Sequence, residues 1–358
     1  MDKAKLQTLL IKESVSLKKA MYQLGETAEK ILFVVDDQNV LLGTVTDGDI
    51  RRGLLNGLTF SENIEKVMRK ECISLRLGTV DLYEHAKKIM VKNKIEHIPI
   101  LNDSNVIIDA ILWTDLFGDN YLKKKERYSN QVVVMAGGKG SRLAPFTKIL
   151  PKPLIPLGDK PIIEIIMEKF YQYGFYNFIY TLNYKKEYIK LFLKEARLPF
   201  NVEWVEEDDF SGTAGSLYLL KDKVSDTFFV TNCDSILNAD FEDILKWHKQ
   251  QNASLTIVGC HKEVKVPFGV LEINNGSLQN IVEKPIYDVT INTGVYVMEP
   301  SVIALIPGGK YMDMDTLIKA VSQKGKVTVY PIHEGWLDIG QWEDYRESIE
   351  KLGGFESI

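Results

Sequence analysis

The segment Ala136-Gly137-Gly138-Lys139-Gly140-Ser141-Arg142-Leu143-Ala144-Pro145-Phe146-Thr147 has the residue types that handle a polyphosphate, and it directly follows the apolar run Val132 to Met135. Three glycines within four positions let backbone N–H groups come close to phosphate oxygens, and the small residues leave room for a nucleotide. Two familiar versions of such a loop are excluded. A P-loop needs Gly-Lys-Ser/Thr after four spacer residues, whereas the order here is Lys139-Gly140-Ser141. The dinucleotide fingerprint needs a third glycine where Leu143 stands. The five histidines, His85, His97, His248, His261 and His333, form no ligand spacing or triad, and Cys72, Cys233 and Cys260 have no metal-like spacing. The chemistry on offer is the neutralisation of negative charge.

The loop continues into Pro151-Lys152-Pro153-Leu154-Ile155-Pro156 and Gly158-Asp159-Lys160-Pro161-Ile162-Ile163. Together, residues 136–163 resemble the signature of the sugar-1-phosphate nucleotidyltransferases. The resemblance implies that Ala136, Gly137, Gly138, Gly140 and Ser141 bind the nucleotide, that Arg142 grips its β- and γ-phosphates, and that Lys152 serves the α-phosphate region. Arginine suits a polydentate phosphate clamp and lysine a compact point charge. Asp234, in Thr231-Asn232-Cys233-Asp234-Ser235, and Asp338, in Gly335-Trp336-Leu337-Asp338-Ile339-Gly340, resemble the family positions that hold Mg²⁺. Mg²⁺ favours one or two carboxylates plus substrate phosphates, which suits such a pair.

Other stretches resemble both substrate pockets. Glu206 to Leu217 looks like the loop that passes the base, with Gly212, Thr213 and Gly215 on the nucleotide side. Phe268-Gly269-Val270, Glu283-Lys284-Pro285 and Asn292-Thr293-Gly294 resemble the sugar side. There the resemblance assigns the sugar phosphate to Gly269, Glu283, Lys284, Asn292 and Gly294, with Lys284 on the phosphate and Glu283 and Asn292 on hydroxyls. The implied reaction is in-line attack by a sugar phosphate on the α-phosphorus of a nucleoside triphosphate, releasing pyrophosphate. The nucleophile is already anionic, so no general base is required; positioning and charge neutralisation suffice.

A sheet must position these loops. Val132 to Met135, Phe178 to Thr181 and Phe228 to Thr231 read as strands, and Ile162 to Tyr173, Glu187 to Leu193 and Phe241 to His248 as helices. That rhythm predicts an α/β fold, a Rossmann-like mixed, mostly parallel sheet, GT-A-like by the resemblance, over residues 132–358. Ligands in such sheets bind beyond the carboxyl ends of the strands.

The first third holds a repeat. Ile31 to Ile50 and His97 to Leu116 each read as strand, polar turn (Asp-Gln-Asn or Asp-Ser-Asn), strand and an acidic helix start. Helical patterns precede them at Leu17 to Leu24 and Val80 to Met90. This α+β unit, residues 1–120 in copies of about 1–65 and 66–120, resembles a tandem CBS pair, with residues 121–131 as a polar connector. The resemblance implies a regulatory nucleotide, with Thr46 and Asp49 at a ribose in the first copy; Asp115 matches in the second, where Leu112 replaces the hydroxyl. It also implies a homo-oligomer. Repeat and transferase signature together are similar to the glucosamine-1-phosphate guanylyltransferases of legionaminic acid biosynthesis, so GTP and glucosamine 1-phosphate are the expected substrates. Another base or sugar, such as mannose 1-phosphate, stays open, because related pockets take different bases. The rival from another class is a nucleotide sensor with an inactive transferase domain, and the joint presence of Arg142, Lys152, Asp234 and Asp338 argues against it.

Composition narrows the setting. Lys and Arg total 44 against 49 Asp and Glu, a net charge of −5, which gives no nucleic-acid stripe or basic membrane surface. The start lacks the continuous apolar segment of a signal peptide, no stretch approaches a membrane span, and the odd cysteine count fits a reducing cytoplasm.

Overall fold

The computed structural model describes residues 3–27, 29–93, 95–113, 116, 127–196, 198–333, 335–342, 344–346 and 348. The chain divides into two compact units, Met1–Lys124 and Lys125–Ile358.

In the second unit, seven strands share one sheet: β1 (Tyr128–Ala136), β2 (Phe175–Leu182), β3 (Asn201–Glu206), β4 (Phe228–Asn232), β5 (Leu255–Lys265), β6 (Ile286–Met298) and β7 (Val327–Ile332). Their order is β3-β2-β1-β4-β6-β5-β7. β6 alone runs against its neighbours; the other pairings are parallel. Alternation along the strands splits the core between two faces. Val132, Val134, Phe178, Tyr180 and Phe229 meet Ile163, Ile166, Phe170 and Phe241 on one side. Val133, Ile179 and Val230 meet Leu217, Leu220 and Leu317 on the other.

The covering helices follow from apolar spacing. Ile162–Tyr171 buries Ile162, Ile163, Ile166, Met167 and Phe170. Phe241–Gln250 starts where the Asp240 carboxylate accepts from the Asp243 N–H at 3.0 Å, an N-cap that fixes its entry. β1 begins at Tyr128, before the apolar run that marks it in the sequence. Tyr128 stacks on Phe175 (4.8 Å), and buried Asn130 donates to the Thr227 carbonyl at 2.7 Å, so polar residues are held in the sheet edgewise.

In the first unit, the two copies repeat one design. Leu10–Lys12, Ile31–Val35 and Leu41–Thr46 form one three-stranded sheet, and Leu75–Arg76, His97–Leu101 and Ile107–Leu112 the other. The polar turns are alike. Asp36 Oδ1 accepts from the N–H groups of Gln38 (2.9 Å) and Val40 (2.8 Å), and Asn102 Oδ1 from those of Ser104 (3.0 Å) and Val106 (2.9 Å). Asn39 and Asn105 both take φ of 61°, which asparagine tolerates. The turns also bind each other: Leu41 N–H donates to the Asn105 carbonyl at 3.0 Å and Ile107 N–H to that of Asn39 at 3.1 Å. Phe33, Val35, Leu101, Ile107 and Ala110 then share one core across the copies.

Thr46 and Asp49 are brought together, but their groups bind within the protein. They form a capping box at the start of helix Asp47–Leu55. Asp49 is 5% exposed and pairs with Arg52 and Arg69. Burial alone would raise its carboxyl, but hydrogen bonds from Thr46 and Arg69 outweigh it and hold it below the ordinary range. A ribose contact at these two residues therefore competes with helix capping. Asp115 lies outside the described residues. No helix among the described residues is long and apolar enough to cross a membrane.

Candidate active site

Chain order reverses between β1 and β4, and the crevice outside their carboxyl ends is where an open α/β sheet takes its ligand. A cleft of about 440 Å³ opens there, within the range of small-molecule sites. It is lined on one side by Gly137, Gly138, Gly140, Ser141 and Arg142, and on the other by Asn232, Cys233, Asp234, Asp338 and Gly340.

Each group is set by a short, local device. β1 delivers Ala136, itself buried behind the cleft. Gly140 takes φ of 62° before the turn Ser141–Leu143, and a side chain there would stand 3.0 Å from Lys152 Cβ. Arg142 is exposed at the rim, and buried Leu143 anchors its turn. Lys152 opens the turn Lys152–Leu154 between two prolines and is 8% exposed; its ammonium pairs with the Asp234 carboxylate.

The two aspartates meet through a strand pair outside the main sheet. Ser235–Leu237 runs antiparallel to Trp336–Asp338, with Ser235 opposite Asp338, and Ile339 N–H donates to the Asp234 carbonyl at 3.0 Å. Loss of hydration, then the negative charge of Asp234, pushes the Asp338 carboxyl up to about 6. A carboxylate made costly by a like charge is one that a cation would stabilise. Among the described residues no group of three or more His, Cys, Asp or Glu could hold a metal ion. Mg²⁺ takes one or two carboxylates together with substrate oxygens, so Asp234 and Asp338 fit a divalent ion.

Of the residues expected near the base, Gly212 and Thr213 line the cleft and Gly215 does not. The N–H groups of Ala214 (2.9 Å) and Gly215 (3.1 Å) donate to the Met312 carbonyl, and Thr213 Oγ1 accepts from Met314 N–H at 2.9 Å. This loop is thereby laced to the start of helix Met314–Ser322. Glu207, which the sequence does not single out within the stretch Glu206 to Leu217, also lines the cleft and is 5% exposed. Its Oε2 accepts from the N–H (3.1 Å) and Oγ (2.6 Å) of Ser211. Its Oε1 faces Gly137 so closely that a Cβ there would lie 2.5 Å away. Among the described residues no donor reaches Oε1. Glu207 directly follows β3, so the strand-end rule points to it, but the run Glu206-Glu207-Asp208-Asp209 hides which acid turns inward.

A family model described as nucleotidyl transferase matches residues 131–353, well over half of the chain. The chain belongs to this family. A CBS domain model matches residues 8–56, the first N-terminal copy. The mannose-1-phosphate guanylyltransferase catalytic subunit beta of Xenopus tropicalis is 32% identical over 224 residues, 60% of this chain and 62% of that protein. The mannose-1-phosphate guanyltransferase of Yarrowia lipolytica is 32% identical over 222 residues, 60% and 61% of the two chains. The chain thus spans about 62% of the length of such curated relatives. Among solved structures, HddC from Yersinia pseudotuberculosis is 28% identical with a TM-score of 0.51, covering 62% of this chain and 99% of that one. The same protein complexed with GMP-PN aligns at 28% identity over the same shares of the two chains, with a TM-score of 0.50.

In this nucleotidyl transferase, the residues expected on the sugar side do not line the 440 Å³ cleft. Gly294, with φ of 77°, packs against the Asn232 side chain, and Asn292 Oδ1 accepts from Gly294 N–H at 3.0 Å while its amide donates to Tyr296 Oη at 2.9 Å. Glu283 and Lys284 are exposed beside the ribbon Val270–Asn274/Ser277–Val282, and a Cβ at Gly269 would lie 3.0 Å from Glu283 Oε2. Of the residues expected on the nucleotide side, all but Ala136 and Gly215 line the described cleft, and those expected on the sugar side lie outside its lining.

Proposed function

We propose that the chain transfers a nucleotide from a nucleoside triphosphate to a sugar 1-phosphate, releasing pyrophosphate. What carries the reading is the convergence of Arg142, Lys152, Asp234 and Asp338 on one cleft at the sheet's switch point. Arg142 clamps the outer phosphates, and Lys152, part-desolvated, steadies negative charge near the α-phosphorus. Asp234 and Asp338 would hold Mg²⁺, which would supply neutralisation of phosphate charge. The sugar phosphate attacks without deprotonation, so the residues orient and neutralise rather than move protons.

The base is guanine in this reading. A buried carboxylate with an oxygen free for a ligand matches the adjacent N1–H and N2–H₂ donors of guanine. Uracil and thymine flank their single N–H with carbonyls that such a carboxylate repels. Given GTP, ATP, CTP and UTP at equal concentration with a sugar 1-phosphate and Mg²⁺, the protein should consume GTP first. Glu207→Gln should cut that preference by an amount equivalent to about 1.5–3 kcal/mol, the scale of a hydrogen bond to a charged group. A preference for UTP, ATP or CTP ends the guanylyl reading and leaves the transferase class intact.

The sugar is glucosamine 1-phosphate, giving GDP-glucosamine as a precursor toward legionaminic acid. A second reading, mannose 1-phosphate, is favoured by the names of the relatives. For either sugar, Lys284 takes the phosphate, with Glu283, Asn292, Gly269 and Gly294 around the ring. Lys284→Ala should raise the KM for the sugar 1-phosphate with kcat little changed; an unchanged KM removes Lys284 from that role. The enzyme works in the cytoplasm as a homo-oligomer, and its CBS pair takes a regulatory nucleotide.

A further inference from the structure

The loop that carries Arg142 is held from outside. Between Ser141 and Leu150 only Leu143 and Thr147 are buried, so the loop's own packing fixes it at two points. Its far end is tethered by Lys185, whose ammonium donates to the carbonyls of Lys148 (2.7 Å) and Ile149 (2.8 Å). Its near end, next to Arg142, is tethered by Trp342. The indole N–H donates to the Ala144 carbonyl at 2.9 Å, and the ring lies against Phe146 with centroids 4.7 Å apart. Tyr345 closes the cluster, edge-on to Phe146 at 6.2 Å and to Trp342 at 6.0 Å, while its hydroxyl donates to the Pro156 carbonyl at 2.8 Å.

Trp342 stands one turn of chain beyond Asp338, and between them Ile339 is fully buried and Gly340 lines the cleft. A single stretch of backbone therefore places Asp338 inside the cleft and Trp342 over the Arg142 loop. We infer that Trp342 is a positioning residue for nucleotidyl transfer, locking the Arg142 loop to the segment that carries Asp338. The distance between phosphate clamp and metal-side carboxylate is then set by one piece of structure, without reliance on a mobile loop. This rests on the reading of Arg142 as the phosphate clamp. Misplacement of a reacting group by about 1 Å costs on the order of a hundredfold in rate.

The test is a kinetic double-mutant cycle on the full chain, with Mg²⁺, the triphosphate that wins the competition assay and the sugar 1-phosphate it accepts. Trp342→Ala should lower kcat/KM for the triphosphate by roughly ten- to a hundredfold, leaving the KM for the sugar 1-phosphate little changed. Trp342→Phe, which keeps a ring on Phe146 but lacks the N–H, should fall between; it carries the test if the alanine variant does not fold. In an Arg142→Ala background, Trp342→Ala should cost little more, because it acts through that arginine. An equal cost in both backgrounds, or no cost in the wild type, overturns the inference. A silent Arg142→Ala overturns the clamp assignment and the inference with it, so the two failures are distinct.

Discussion

Asp234→Asn and Asp338→Asn should each lower kcat on the order of a thousandfold, measured as pyrophosphate release, with the fold intact by circular dichroism. The exchange keeps side-chain volume and removes the charge that a divalent ion needs. The two variants should differ in pH behaviour. In the metal-free protein the Asp338 carboxyl is raised from 3.8 to about 6. The folded state then holds a proton there that the unfolded chain has lost, and stability falls as pH rises through that window. Asparagine cannot ionise, so metal-free Asp338→Asn should melt at or above the wild type at pH 7 and above, while being inactive. Wild-type activity should need more Mg²⁺ as pH drops through about 6, where the ion must displace a proton. Near-normal turnover in either variant removes that aspartate from the metal site.

Arg142→Ala should lower kcat/KM for the triphosphate by about a hundred- to a thousandfold, the scale for losing a preorganised donor to developing charge. Arg142→Lys should recover only part of it, because an ammonium cannot bridge two phosphates with a planar fork. Lys152 cannot compensate, since it is buried and paired with Asp234. Steady-state kinetics in both substrates decides the matter: a variant affected only in the sugar 1-phosphate term places Arg142 elsewhere.

The glycine-loop wall of the cleft was legible in the sequence because Gly137 to Arg142 sit in one continuous stretch directly after an apolar strand. Gly137 to Arg142 follow β1 and Asp234 follows β4, just past strands that are buried on both faces. Glu207 was not legible, because four consecutive acids offer no pattern that tells which one points inward; a Ser211 side chain and the absence of a Cβ at Gly137 decide it. Trp342 was hidden for a similar reason: its partner Ala144 is a backbone carbonyl, which leaves no mark on residue type. The true start of β1 was masked by Ser129, Asn130 and Gln131; the Asn130 and Gln131 amides donate to the Thr227 and Lys223 carbonyls, partners that the polar pattern does not announce. In the N-terminal unit the repeated turns were readable, whereas the fate of Thr46 and Asp49 was not. The same two residue types serve a ribose or a helix start, and in this structure Asp49 caps the helix and pairs with Arg52 and Arg69.

The antiparallel pairing of Ser235–Leu237 with Trp336–Asp338 has a bearing on how the protein is born. Asp234 leaves the ribosome with β4, but its partner strand follows the whole remaining sheet, roughly a hundred residues later. At 5–20 residues per second that is a delay of about 5–20 s, during which the nascent chain carries the glycine loop and one aspartate but not the other. The Lys152 ammonium, already made, can shield the Asp234 carboxylate in the meantime. The cleft is then completed only after the sheet that frames it.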